Sequence, residues 1–168
     1  MEKALGPDHP RVARGLNNLA ELYIAEGDFT LAKPFLKRAL AINEKALGSD
    51  HPDVASTLNN LGDLYYSQGN YLVAKPFFER SLAIWEKALG PNHPHIALSL
   101  NNLAALYAEQ GQYPQAELLF VRSLGILENT LGHNHPQVIA SLNNLAEFYR
   151  KSGREIEAAA MVKRATIK

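Results

Sequence analysis

The chain has 168 residues, of which 46% are hydrophobic and 20% are charged, so a folded protein is expected rather than a disordered one. Lysine plus arginine and aspartate plus glutamate each number 17, and this zero net charge argues against duplex nucleic acid or an anionic membrane as the main partner. There is no cysteine, no apolar run of about 18 residues and no signal peptide at the start, so we expect a cytoplasmic protein without disulfides.

A fixed period of 42 residues organises the sequence. The pair His-Pro recurs at His9, His51, His93 and His135, and each pair is followed by the phrase Leu-Asn-Asn-Leu. A period of this size predicts one supersecondary unit stacked on copies of itself. We therefore predict one solenoid domain that looks like a piece of a longer array. Residues 1–9 form the tail and loop of a preceding repeat, and the four repeats cover residues 10–51, 52–93, 94–135 and 136–168.

The second repeat shows which elements the period contains. Pro52 suits the first turn of a helix, because its fixed φ and missing N–H are tolerated there, and apolar residues follow it at helical spacing. Gly69 ends this helix, and Tyr71 to Leu89 forms a second, longer one. Gly90 tolerates a left-handed cap, and the proline after it blocks continuation. The chain is thus predicted to consist of four helix–turn–helix pairs without any strand.

Leucine, tyrosine, glycine and alanine recur within each repeat in a family-specific pattern. In the second repeat the residues that carry this pattern are Leu58, Leu61, Gly62, Tyr65, Gly69, Ala74, Phe78 and Ser81. Their spacing resembles that of the tetratricopeptide repeat, whose usual length is about 34 residues. The longer form found here resembles the repeats of kinesin light chain, and also the tandem arrays of bacterial, notably cyanobacterial, proteins. The resemblance implies an all-α, right-handed α-solenoid of four tetratricopeptide repeats that binds other proteins.

Helical geometry separates the two sides of each first helix. At about 100° per residue, Leu58, Leu61 and Tyr65 share one side, and Asn60 and Asp63 lie on the other. The resemblance implies that this other side lines a concave groove for an extended peptide or a partner helix. The candidate peptide-binding residues are Asn18, Asn60, Asn102, Asn144, Arg14, Glu21, Asp63, Tyr66, Glu147, Arg150 and Lys151, with Asn17, Asn59, Asn101 and Asn143 beside them.

Asparagine suits such a groove, because its amide both donates and accepts hydrogen bonds and can hold a peptide backbone whatever the side chains are. The alternative is that the paired asparagines bond neighbouring helices and lock the stacking of the repeats. Kinesin light chain grips acidic, tryptophan-containing peptides with basic residues, but Ile24, Tyr66 and Ala108 occupy matching positions and only Arg150 is basic. We therefore expect a neutral or mildly basic peptide.

Closely spaced histidines raise the hypothesis of a metal site. His93 and His95, and likewise His133 and His135, are one residue apart, but the repeated loop accounts for the His-Pro histidines and no third ligand with a base is evident. No phosphate loop, nucleophile triad or carboxylate pair stands out either, so we expect no metal, no cofactor and no catalysis. The zero net charge also makes RNA binding a weaker hypothesis than protein binding.

Two functions of different kinds remain. The first is a non-catalytic scaffold that binds a protein or peptide ligand in the asparagine-lined groove. The alternative is a self-assembling structural module whose uncapped terminal repeats stack head-to-tail into a homo-oligomer, since a heterologous contact can build open filaments. For the alternative, a charged replacement of Met161, Val162 or Ile167 in the last repeat is expected to abolish association.

Overall fold

The structure, a computed structural model, describes residues 6–166, and helix is the only regular element in that range. The eight helices of these residues are α1 (Pro10–Ala25), α2 (Phe29–Leu47), α3 (Pro52–Ser67), α4 (Tyr71–Leu89), α5 (Pro94–Glu109), α6 (Tyr113–Leu131), α7 (Pro136–Lys151) and α8 (Glu155–Thr166). The prediction of an all-α chain of helix pairs is therefore confirmed. In the second repeat the helix start at Pro52 and the second helix from Tyr71 to Leu89 are as predicted.

Contacts between residues divide the chain into two compact units. The first unit extends to Ala88 and contains α1, α2, α3 and nearly all of α4. The second unit begins at Leu89 and contains α5 to α8. Each unit thus holds two helix pairs, while the repeat boundaries and the single solenoid domain inferred from the period stay predictions.

Each first helix begins at the proline of a His-Pro pair, and the histidine before it is the N-cap. The imidazole Nδ1 accepts a hydrogen bond from the backbone N–H two residues further on, which satisfies a donor that a helix start otherwise leaves unpaired. The four bonds are His9 to Arg11 at 3.1 Å, His51 to Asp53 at 3.1 Å, His93 to His95 at 3.2 Å and His135 to Gln137 at 3.3 Å. Helix capping therefore accounts for the recurrence of His-Pro with the period.

In the first unit α3 packs against α2 and α1. The buried cluster that joins them consists of Ala20, Ala32, Leu36, Leu61 and Leu64, with partly buried aromatic rings around it. Because Ala20 and Ala32 are small, the helices can approach closely and the leucines of one pair insert beside the other pair. Neighbouring helix pairs of this unit therefore share one core.

The crossing of α3 and α4 leaves no room for a side chain at Gly62. A Cβ atom at this position would lie 2.6 Å from Cδ1 and 2.9 Å from Cζ of the Phe78 ring, which is well inside van der Waals contact. Phe78 is itself fully buried. The first repeat has Ala20 and Leu36 at the corresponding positions, so there a residue with a Cβ faces a leucine instead of an aromatic ring.

Replacing Gly62 with alanine should lower the free energy of unfolding by about 1–2 kcal/mol, because shifting a buried ring costs more than the helix propensity that alanine gains. The third repeat combines Ala104 with Phe120, so the ring rather than the helix is expected to move. Adding Phe78→Leu recreates the pair found in the first repeat and should recover most of the loss. Urea denaturation of the single and double variants measures both effects, and a Gly62→Ala protein more stable than the wild type would contradict the explanation.

In the second unit α6 packs against both α5 and α7, and α8 packs against α7. The rings of Phe120 and Phe148 meet between α6 and α7 with centroids 5.4 Å apart. A polar network borders this contact, because Glu117 accepts hydrogen bonds from the Tyr149 hydroxyl at 2.9 Å and from Arg154 at 2.6 Å. The bond from the Arg154 guanidinium holds the pKa of Glu117 below its ordinary value.

Candidate functional site

The side of α1 and α3 opposite their leucines carries amides and charges. Its members, which we call the polar face of the first unit, are Arg14, Asn18 and Glu21 of α1 and Asn60 and Asp63 of α3. The three residues of α1 are exposed, and the two residues of α3 are half-buried. The amide Nδ2 of Asn60 donates a hydrogen bond to Oε1 of Glu21 at 2.7 Å. The structure thus brings predicted binding residues of two successive repeats into direct contact.

Asp63 has an unusual protonation equilibrium on this face. Burial raises the pKa of its carboxyl to about 7, and the negative charge of Glu21 adds to the shift. The amide of Asn59 donates a hydrogen bond to Oδ2 of Asp63 at 3.0 Å. Near neutral pH the Asp63 carboxyl is therefore only partly ionised, so the face is less acidic than its residue types indicate.

The first asparagine of each pair has different surroundings from the second in this unit. Asn17 is buried, and its Nδ2 donates to Oγ1 of Thr57 at 2.8 Å. The same hydroxyl oxygen accepts from Nδ2 of Asn43 at 3.2 Å and donates to the backbone carbonyl of Asp53 at 3.0 Å. Asn59 is also buried, with its amide on Asp63. These first asparagines bond the protein itself and offer little surface to a ligand.

The corresponding polar face of the second unit consists of Asn102 and Glu109 of α5 and Asn144, Glu147 and Lys151 of α7. Nζ of Lys151 lies 2.6 Å from Oε1 of Glu109 and 3.7 Å from Oε1 of Glu147. One ammonium group therefore connects the two first helices, as the amide of Asn60 does in the first unit. Asn144 is exposed and Asn102 is half-buried.

The remaining candidate residues lie in more varied surroundings. Tyr66 is half-buried next to the turn between α3 and α4, and its ring centroid is 5.3 Å from that of Tyr71. Asn101 is half-buried, whereas Asn143 and Arg150 are exposed. Asn143 and Arg150 are thus open to a ligand, while Tyr66 contributes to the packing of its own repeat.

Within residues 6–166 no group of three or more histidine, aspartate or glutamate side chains is placed to hold a metal ion. The rings of His93 and His95 are neighbours, with centroids 5.1 Å apart, but Nδ1 of His93 already accepts the capping hydrogen bond. In the same part of the chain no helix combines the length and the apolar character needed to cross a membrane.

Helix pairs of this length and spacing occur in a known family. The sequence model described as tetratricopeptide repeat matches residues 1–45, 11–84 and 53–129, and a second model with that description matches residues 138–166. The chain belongs to the tetratricopeptide repeat family. Tetratricopeptide repeats generally mediate protein–protein interaction and are typically non-catalytic scaffolds, so a role in binding proteins follows at this coarse level.

Solved structures match the chain over nearly all its length. One is a Podosopora anserina protein, provisionally assigned as a kinesin light chain with nearly identical tetratricopeptide-like repeats. It is 30% identical in sequence, and the superposition has a TM-score of 0.80. The match covers 95% of this chain and 79% of that one. Another is BtubC (BKLC) from P. vanneervenii, at 26% identity and a TM-score of 0.79, covering 94% of this chain and 63% of that one. The kinesin-light-chain-like type is therefore confirmed. No curated protein matches closely enough to count as a relative.

Thr57 was not among the predicted residues, although it holds the asparagines of two tetratricopeptide helices. The same position carries a hydroxyl in the later repeats, as Ser99 and Ser141, and glycine in the first, as Gly15. This recurrence is the signal that the sequence offers. The sequence does not show which side chain bonds this hydroxyl, because Asn17 lies 40 residues from Thr57.

Proposed function

We propose that the chain is a non-catalytic docking scaffold whose polar faces hold an extended peptide or a helix of a partner protein. The observation that carries this proposal is the accessibility of the second asparagine in every pair. Asn18 and Asn144 are exposed, and Asn60 and Asn102 are half-buried, each at the same position of a first helix. Amides repeated at a fixed helical position within one unit can bond the backbone of one extended ligand.

Cross-helix hydrogen bonds prepare this surface for binding. The bond from Asn60 to Glu21 fixes the amide of Asn60 in place and leaves its Oδ1 to accept from a ligand N–H. A side chain that is already oriented loses less conformational entropy when it binds. The amide of Asn60 is therefore better prepared for a peptide backbone than a freely rotating surface asparagine would be.

The charges of the polar faces favour a neutral or mildly basic ligand. Glu21 and the partly ionised Asp63 stand on the first face with Arg14 as the only member of opposite charge. On the second face Lys151 is already paired with Glu109. A lysine or arginine of the ligand would favour the ionised form of Asp63 and lower its pKa.

A peptide-library selection tests the proposal. The fourfold variant Asn18→Ala, Asn60→Ala, Asn102→Ala and Asn144→Ala should bind the peptide enriched by the wild type at least about tenfold more weakly, because each lost hydrogen bond contributes about 0.5–1.5 kcal/mol. Fluorescence anisotropy with the labelled peptide measures the affinity, and circular dichroism verifies that the variant stays helical.

A matched control uses three exposed asparagines outside the first helices, Asn92, Asn129 and Asn134. Their combined replacement by alanine should leave the affinity unchanged. If the fourfold variant binds the peptide as tightly as the wild type, the four asparagines do not belong to the binding site. If the wild type enriches no peptide, peptide docking itself is contradicted.

Two further expectations accompany the docking role. Because the chain contains no cysteine, its fold needs no oxidising compartment, which supports a cytoplasmic location. Head-to-tail assembly, the alternative function, would use the terminal surfaces of the array instead. Docking and assembly therefore use different surfaces, and mutations can separate the two functions.

A further inference from the structure

The outer side of α6 carries exposed apolar residues at helical spacing. Leu118 is 69% exposed and Val121 is 50% exposed. These residues are three positions apart in one helix, so their side chains are neighbours. Gly125 follows one turn further along the same side and is half-buried. We call Leu118, Val121 and Gly125 the outer patch; it lies opposite Phe120 and Leu127, which are buried in the core.

The exposure of the outer patch does not depend on the ends of the array. α6 belongs to the third repeat, so repeats precede and follow it within the chain. The positions of Leu118 and Val121 are exposed in the second repeat too, where they are occupied by Pro76 and Glu79. Stacking of the repeats therefore leaves this side of a second helix open, and only another molecule can cover a residue there.

The third repeat differs from the others at these two positions. Val121 stands where the other repeats have a charged residue, namely Lys37, Glu79 and Lys163. Leu118 stands where they have proline or alanine, namely Pro34, Pro76 and Ala160. A solvated surface does not require the loss of a charge, whereas an apolar contact with another molecule does. The outer patch thus has the character of an interaction surface.

Gly125 leaves an open space beside these side chains. A Cβ atom at this position would meet nothing within 4 Å, although the glycine lies in the interior of α6. Glycine destabilises a helix relative to alanine, so the packing of the chain itself gives no reason for it here. The first two repeats have alanine at this position, Ala41 and Ala83, and Ile167 of the last repeat lies outside the described residues.

The outer patch is complementary to a second copy of itself. Leu118 and Gly125 are seven residues apart, so they lie about two turns apart on one side of α6. When two such helices pack antiparallel about a two-fold axis next to Val121, Leu118 of each copy lies beside Gly125 of the other. The exposed leucine then fills the space above the glycine, as a knob fits a hole between facing helices. This contact forms twice, because an isologous interface repeats every contact.

A two-fold contact also explains why Val121 is uncharged. Residues next to a two-fold axis meet their own copies, so a lysine or glutamate there would face an equal charge. The charged neighbours of the patch are bonded within the chain: Glu117 accepts from Arg154, and Arg122 likewise has a partner. The outer patch therefore brings no unpaired charge to the axis.

We propose that the outer patch is the contact surface of a symmetric homodimer, in which α6 of one copy packs antiparallel on α6 of a second copy. Leu118 of each copy fills the space at Gly125 of the other, and Val121 meets its own counterpart. An isologous contact closes at two copies, unlike head-to-tail assembly, which continues to grow. Because one pair of helices buries a small area, the dimer is weak and depends on concentration.

Sedimentation velocity over a concentration series tests the contact. The mass of the wild type should rise towards that of a dimer and no further. Val121→Lys should weaken dimerisation at least about tenfold, because two lysines then meet at the axis. This variant keeps the fold, since it introduces the residue that two other repeats have there, Lys37 and Lys163. Leu72→Glu is the matched control and should dimerise like the wild type, since Leu72 is 83% exposed but lies on α4.

Gly125→Ala separates dimerisation from stability. At a concentration where the protein is monomeric, the alanine should raise the urea midpoint of unfolding, because it favours the helix and meets nothing within the chain. The same methyl group occupies the space that Leu118 of the other copy fills. The dissociation constant of the dimer should therefore rise about fivefold or more. A glycine with a role only inside the monomer would not give both changes.

Introduced cysteines test the symmetry of the contact, because the chain has none of its own. Val121→Cys should form a disulfide-linked dimer under mild oxidation, since the two thiols meet near the axis. Leu72→Cys should stay monomeric under the same conditions. Non-reducing gel electrophoresis measures the linked fraction of each variant.

Three results would overturn the proposal: a wild type that is monomeric up to its solubility limit, a Val121→Lys variant that dimerises normally, or a Val121→Cys variant that forms no linked dimer. No residue of the outer patch belongs to a polar face, so peptide binding by the Val121→Lys monomer remains measurable. Failure of the dimer proposal is thus distinguishable from failure of peptide docking.

Discussion

Replacing Thr57 with valine should lower the free energy of unfolding by about 2–4 kcal/mol, because valine has nearly the same shape but cannot hydrogen-bond. Thr57 is completely buried, and its hydroxyl accepts from the amides of Asn17 and Asn43 at 2.8 and 3.2 Å. Removing it leaves a buried amide donor of Asn17 without a partner. Urea denaturation of the purified variant measures the loss.

Thr57→Ser is the matched control, since it keeps the hydroxyl and places at this position the residue found in the third and fourth repeats, Ser99 and Ser141. It should lose about 1 kcal/mol or less, the contribution of one buried methyl group. A valine variant as stable as the serine variant would show that the hydroxyl does not hold the two asparagines.

The network around Thr57 is only partly satisfied, which makes it sensitive to change. The Oδ1 atoms of Asn17 and Asn43 are buried and have no hydrogen-bond partner in the described residues. Buried polar groups that lack partners are costly, and they become more costly when a further bond is removed. The later repeats place Trp85 and Leu127 at the position of Asn43, so the amide at this position is particular to the first repeat.

Replacing all four capping histidines, His9, His51, His93 and His135, with alanine should lower the free energy of unfolding by about 4 kcal/mol. Each lost N-cap costs about 1 kcal/mol, and distant sites add. A loss of this size is a large part of the 5–15 kcal/mol by which a domain is typically stable. Thermal and urea denaturation should therefore show a strongly destabilised but still helical protein.

A fourfold replacement by asparagine separates capping from other roles of the imidazole rings. Asparagine is among the preferred N-cap residues, and its side-chain oxygen accepts the same kind of backbone hydrogen bond. This variant should keep most of the wild-type stability. If the alanine and asparagine variants lose equal stability, the histidines stabilise the protein by something other than the Nδ1 hydrogen bonds.

The helix pairs could be predicted from sequence because their determinants are local. Pro52 and Gly69 delimit α3, and both act through backbone conformations that a reader can assign from residue type. The caps were harder to predict, since histidine is not among the common capping residues. The available signal was its fixed place directly before a helix-starting proline in all four repeats.

For the candidate site, helical geometry predicts the side of the helix on which a residue lies, but not whether that residue is buried. Asn60 was assigned to the side opposite Leu61, and there it meets Glu21 of the neighbouring helix. The same reasoning could not separate Asn17, which is buried on Thr57, from Asn143, which is exposed. Burial of that position depends on the residues that a neighbouring repeat supplies. The pKa of Asp63 likewise depends on surroundings that its own repeat does not encode.

The short reach of the histidine caps has a consequence for how arrays of this kind change in length. Each cap joins residues only two positions apart, so every first helix carries its own starting signal. A duplicated or deleted cassette of one full period therefore brings its starting signal with it. The bond between Asn17 and Thr57 is different, because it needs one particular neighbour. Such a long-range bond forms only when two particular repeats are adjacent. The caps form in every repeat whatever its neighbours are, so they tolerate the gain or loss of a repeat.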